Sequence, residues 1–387
     1  MEILREVVAW FRRSRNIRWG SLWSSLKPTQ QSSDTTPQQS SGTTPQQSSG
    51  HILQLPHELI LNISYFLSPA SRALLSQTCH PLRGILGDSA SAAHLSYAQY
   101  LEYLTGLAHD RCDQWVCEVC PALHRTYAND TPFDHSLSCP HGWLQWHNRA
   151  YGSMHRIDIY QLNIDHRHVQ LALKCTRMRH QSYEPYRKEL LRPCKKDYWH
   201  FSHHSTAKIR YSVFPKIVTA TNDTPRFLIM SVWDFVKRDQ DPILTPESLE
   251  DLIICPHMSF YGPYHTDTEF SMDIKAAFDY RPSPVVGACS QCRTDFAIKL
   301  SANSETAELY VWQDLGPEGS PMDADWNSQV YRHSIYQDRP CGVYCRTEPV
   351  TIYHEPDSVR ELFYWTAEEE ALIKWRARQS PCRTFPS

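Results

Sequence analysis

The sequence predicts an α+β protein: a small three-helix unit near the N-terminus, then a larger, mainly β domain that closes with a helix. Three observations carry this reading. Apolar residues recur at three- and four-residue intervals over 51–87, and they alternate along the chain over much of 154–312. A Ser/Gln/Thr/Pro tract with almost no apolar content sets the first fifty residues apart. The expected divisions are therefore 1–50, 51–90 and 91–387, in a chain of 387 residues, ample to bury a core.

Charge and composition exclude several classes of function. Lys and Arg total 39 against 42 Asp and Glu, a formal net charge of -3, without the basic excess of a nucleic-acid binder. No uncharged apolar run approaches the roughly 18 residues that a membrane span needs. Thirteen Cys is an odd count, and Arg5, Arg12, Arg13 and Arg15 stand where a secretory leader would place its apolar stretch. The expectation is an intracellular protein, of cytoplasm or nucleus, whose thiols are free or metal-bound and not paired in disulfides.

The elements follow in order. Residues 1–27 carry six basic side chains among Trp10, Phe11, Trp19 and Trp23, which suits an amphipathic surface or targeting helix and equally a frayed extension. The octet TTPQQSSG occurs in tandem at 35–42 and 43–50, and so polar a tract cannot offset its ordering entropy by burial, so 1–50 is read as a disordered arm and linker. Pro56 suits the first turn of a helix whose face holds Leu59, Ile63, Phe66 and Leu67. Ser68-Pro69 stops that helix and caps one carrying Leu74, Leu75 and Cys79; His80-Pro81 breaks again before Leu82, Ile85 and Leu86. A unit this small buries little apolar surface, so its remaining apolar face calls for a partner.

Residues 95–110 read as another helix. Strands are expected at Ile157–Ile159, Leu171–Leu173, Ile209 to Val213, Phe227 to Val232, and in a hairpin pairing Phe296-Ile298-Leu300 with Leu309 to Trp312. Near the end, Ser358 with Glu361 and Thr366 with Glu369 fit capping boxes, and a helix is expected over 367–378.

The cysteine spacing points to metal. Two C-x-x-C pairs occur, Cys117/Cys120 and Cys289/Cys292, where chance gives about 0.4. Cys-Pro-His also occurs twice, at Cys139-Pro140-His141 and Cys255-Pro256-His257. Matching each tripeptide to one pair gives two sets, Cys117, Cys120, Cys139, His141 and Cys255, His257, Cys289, Cys292. Each is a Cys3His set of the kind that closes a tetrahedral zinc site with no position left for water, hence structural and not catalytic. Two alternatives stay open: His124 in place of His141, and exchange of partners between the pairs and the tripeptides. Residues 271–280 are expected as a strand or loop spanning the second set. Cys341 and Cys345 lack a matching pair, and His166, His168, His203 and His204 read as dispersed. No G-x-S-x-G, Walker, G-x-G-x-x-G or H-E-x-x-H motif is present.

The run LPHELILNISYFLSPASRALLSQTCHPLRGIL resembles an F-box, the segment by which substrate receptors of cullin-RING ubiquitin ligases dock on the Skp adaptor. Leu55, Pro56, Glu58, Leu59, Ile63, Leu67, Leu75, Cys79 and Leu82 carry the likeness; Pro81 departs from it. The stretch from Cys255-Pro256-His257 through CSQCRTDFAIKL to LYVWQDLG is similar to the C-terminal part of a group of fungal F-box proteins. The resemblance implies a non-catalytic receptor that holds a protein substrate near a charged conjugating enzyme. It also implies a docking face of Leu55, Pro56, Leu59, Ile63, Leu67, Leu75 and Leu82. A ligase-independent zinc-stabilised scaffold and a Cys-dependent hydrolase stand as alternatives.

Overall fold

The computed structural model describes residues 51–118, 120–133, 139, 156–159, 162–198, 207–219, 223–238, 243–249, 251–261, 269–279, 283–330, 355–356 and 358–364. The arm at 1–50, the helix expected over 367–378, His141, His203, His204, Cys341 and Cys345 lie outside them. Two compact units form: one runs up to Leu95 and includes His109–Arg111, and the other comprises Ser96–Ala108 and the chain from Cys112 onward.

The first unit holds helices α1 (His57–Tyr65), α2 (Pro69–Thr78) and α3 (His80–Leu86), as the breaks predict. Pro56 occupies the N-cap of α1, and Ser68 caps α2 by accepting the Ser71 N–H at 3.1 Å. Pro81 lies in the first turn of α3, where its missing N–H has no helical partner to lose. Ile60, Ala70, Ala73, Leu82 and Leu86 are buried.

The second unit opens with α4 (Tyr97–Leu107), held at its start by a capping box between Ser96 and Gln99. A hairpin of β1 (Gln114–Cys117) and β2 (Ala122–Arg125) follows, then a second of β3 (Arg156–Ile159) and β4 (Leu162–Asp165). Helices α5 (His166–Met178) and α6 (Glu184–Leu190) come next. The strand expected at Leu171–Leu173 is therefore a correction, since those residues lie within α5. Ten consecutive residues of α5, His166 to Cys175, are buried. Its polar side chains find partners inside: Arg167 Nε is 3.1 Å from Asp130 Oδ1, and Lys174 Nζ donates to the Gln114 carbonyl at 2.9 Å. Val169, Ala172 and Leu173 form its apolar stripe, and the polar side facing away from them is buried as well.

The main sheet has six antiparallel strands: β5 (Cys194–Tyr198), β6 (Ala207–Thr219), β7 (Pro225–Lys237), β10 (Val285–Ala288), β11 (Thr294–Leu300) and β12 (Thr306–Pro317). Their order is β10-β11-β12-β7-β6-β5. Along β7, Phe227, Ile229, Trp233 and Phe235 enter one core, while Leu228, Met230 and Val232 enter a second on the opposite face. Covering on both faces explains why the strand reads FLIMSVW, nearly unbroken, and not as a strict alternation. Between β7 and β10 stand a small hairpin, β8 (Asp251–Cys255) with β9 (Met258–Tyr261), and helix α7 (Glu269–Asp279), where a strand or loop was expected. Phe270, Ile274, Ala277 and Phe278 of α7 are buried at helical spacing.

A one-turn helix, α8 (Ala324–Asn327), meets the end of β12 through charge. Arg226 spans Asp314 at 2.7 Å and Asp325 at 2.8 Å. Gly316, at φ +96, allows the register shift of β12 between Asp314 and Pro317, and an added Cβ would stand 2.6 Å from that of Asp325. The second face of the sheet is closed by α9 (Ser358–Phe363), the helix that the Ser358/Glu361 pair predicts. Buried Asp295 of β11 accepts the Val359 and Arg360 N–H groups at 2.8 and 3.0 Å, and Lys216 Nζ donates to the Phe363 carbonyl at 2.7 Å.

Candidate metal centres and an exposed helical face

Two Cys/His clusters assemble in the second unit. Cys255, His257, Cys289 and Cys292 form one, with their ligand atoms within 4.8 Å of one another. Two hairpin ends supply them. Cys255 ends β8 and His257 sits in the tight turn before β9; Cys289 follows β10 and Cys292 lies in the turn that enters β11. That turn is fixed by the Cys289 N–H donating to the Thr294 carbonyl and the Thr294 N–H donating to the Cys292 carbonyl, both at 2.8 Å. The Gln291 N–H reaches back to Cys289 Sγ at 3.4 Å, a backbone donor aimed at a thiolate. All three cysteines are buried. Hydrogen bonds from Cys255, Cys292 and His257 draw the Cys289 thiol far below its ordinary range, while burial pushes Cys255 up. Crowded, buried thiols resist full deprotonation, and a bound cation would relieve that by taking the place of their protons.

The other cluster is Cys117, Cys120, His124 and Cys139. Among the described residues, which do not include His141, His124 joins the three cysteines. The β1–β2 register explains it. Trp115 pairs with His124 and Cys117 with Ala122, so Cys117 and His124 point to the same face of the hairpin while Cys120 stands in its turn. Cys139 Sγ lies 3.7 Å from Cys117 Sγ and 3.6 Å from Cys120 Sγ. A tetrahedron with Zn–S of about 2.3 Å has edges of about 3.8 Å, so the three sulfurs stand at metal-site spacing. His124 Nε2 is closer, 2.8 Å from Cys120 Sγ, a hydrogen-bond distance. Hydrogen bonding with Cys139 and burial raise the Cys117 thiol, and burial lifts Cys120 to about 11. Among the described residues, each C-x-x-C pair stands with the cysteine of the tripeptide that the sequence matched to it. The signal for His124 was its place two residues beyond Ala122 on a strand of period two.

On the first unit, α1 presents apolar side chains to solvent. Leu59 is 48% exposed and Phe66 70%, with Ile63 half-buried between them at i, i+4, i+7 spacing. Leu61 and Tyr65 are exposed on a different side of the same helix. In a water-soluble helix such a patch is unusual enough to mark an interaction surface. Residues 52–90 match the F-box domain family. This segment is an F-box domain. No curated protein and no solved structure matches the chain.

Within the F-box, the residues named from the sequence as a docking face divide by exposure. Pro56 and Leu59 are exposed, and Leu55, Ile63, Leu67 and Leu75 are half-buried. Leu82 is buried, at 2%, and belongs with Ile60 among the inward-facing residues; its spacing on the short α3 did not distinguish the two sides. Phe66, read only as part of the helical periodicity, is among the most exposed apolar side chains of the unit.

Proposed function

We propose that the protein is a substrate receptor of a Skp–cullin–F-box ubiquitin ligase, acting by proximity and without chemistry of its own. The F-box at 52–90 with an exposed Leu59/Phe66 face carries the reading. In this account Leu55, Pro56, Leu59, Ile63, Phe66, Leu67 and Leu75 dock on the adaptor, which joins the chain to a cullin. The mainly β unit holds the protein substrate, raising its effective concentration near the conjugating enzyme. Its likeness to the C-terminal part of fungal F-box proteins supports the same division of labour. Function would be exercised inside the cell, in cytoplasm or nucleus. No helix among the described residues is long and apolar enough to cross a membrane.

Both Cys3His clusters are proposed to hold structural zinc: Cys117, Cys120, His124 and Cys139 at one, and Cys255, His257, Cys289 and Cys292 at the other. Four protein ligands leave each ion closed to water and substrate, so its role is to brace the hairpins. The test of the receptor reading is reconstitution of the full chain with purified Skp adaptor and cullin. Wild type should co-elute with both, and a Leu59→Asp variant with neither. Failure of wild type to bind the adaptor would sink the receptor reading and leave a zinc-braced scaffold.

A further inference from the structure

Helix α5 carries Cys175 and Met178 three residues apart, the spacing that places side chains side by side on one face. Against that face lies Cys112, in the turn that enters β1. Cys112 Sγ is 3.1 Å from Met178 Sδ, and the Cys112 and Cys175 thiols are within hydrogen-bonding reach of each other. Both thiols are buried, at 2% and 3%. Two sulfurs of α5 and one from the turn before β1 therefore converge inside the protein.

Thiolate and thioether donors together are the soft set that selects copper(I), whereas zinc sites draw on four thiolate, imidazole or carboxylate ligands. We propose that Cys112, Cys175 and Met178 form a three-coordinate site for copper(I), separate from the two Cys3His clusters. Binding releases two thiol protons to solvent and leaves one cation on two thiolates and a thioether, a net charge of minus one with no change of oxidation state. The surroundings suit that charge. Lys174 Nζ is buried beside the cluster, donating to the Gln114 carbonyl, and Arg177 pairs with Glu318 at 2.8 Å. Entry is short: Met178 is half-buried and the next residues, Arg179 and His180, are exposed, so the thioether is the outermost ligand.

The test is titration of the full, zinc-loaded chain with copper(I) bicinchoninate under anaerobic reducing conditions, following chelator colour and metal content together. Wild type should take one copper(I) from the chelator and keep its zinc. Cys112→Ser should lose that equivalent. Met178→Leu, which preserves side-chain bulk, should hold it more weakly by about tenfold or more, the scale on which changes around a metal cost affinity. No uptake by wild type, uptake matched by zinc release, or uptake by Met178→Leu equal to wild type would each overturn the site. The last comparison decides the matter even if Cys112→Ser does not fold.

Discussion

Replacing Leu59 and Phe66 together by Ala separates docking from folding. Fully burying a Leu or Phe side chain is worth about 1.5–3 kcal/mol. Scaled by the exposed 48% and 70%, the pair has roughly 2–3.5 kcal/mol of apolar burial still to gain from a partner. Losing it should weaken adaptor binding about 20- to 400-fold. The buried remainders of the two side chains are worth less to the free chain, about 1–2.5 kcal/mol for the pair by the same scaling. Ile60→Ala is the control: at 1% exposure it removes buried volume and should cost about 2–5 kcal/mol in stability. Calorimetric titration with purified adaptor, beside urea unfolding followed by circular dichroism, reads both quantities. If the double variant binds as wild type does, or unfolds as readily as Ile60→Ala, the division of α1 into inner and outer faces is wrong.

Other outcomes follow from the second unit. Metal analysis should find close to two zinc ions per chain, and Cys292→Ser should lose one of them while the Cys117 cluster keeps its own. Asp295→Ala removes a buried carboxylate that holds two N–H groups of α9; at about 1.5–3 kcal/mol for a hydrogen bond to a charged group, the loss should reach about 3 kcal/mol and open residues 358–364 to limited proteolysis. Burial lowers His166 from 6.5 to about 3. The folded chain thus refuses a proton that the unfolded chain accepts between those values. The stability this confers is complete above pH 6.5 and falls by about 1.4 kcal/mol per unit as pH drops toward 3. His166→Gln should flatten that part of the pH profile relative to wild type, measured by denaturant midpoints; an unchanged slope would mean that His166 is not protonation-restricted.

Legibility in the sequence tracked how local the physics was. The three F-box helices were readable because Ser68, Pro69 and Pro81 mark their own boundaries through capping and a missing N–H. The β11–β12 hairpin was readable because its alternation is set by one pleated ladder. Helix α5 was not, since Leu171 and Leu173 imitate a strand while Gln170 and Lys174 are satisfied by groups far away in sequence, a fact no window of residues contains. Helix α7 had the helical spacing, but the long gap between His257 and Cys289 suggested an extended segment. The cysteines of the two clusters were grouped by spacing; that His124 stands beside Cys117, Cys120 and Cys139 depends on the register of a hairpin. The sulfur cluster was invisible because Cys112 and Met178 are brought together only by the packing of α5.

Strand β7 has a ladder partner along its whole length on each side and a packed core above and below. Its amide hydrogens can meet deuterated solvent only when the entire unit opens, so they should be the slowest clocks in an exchange experiment. A plate that stiff does not reshape itself around whatever it carries.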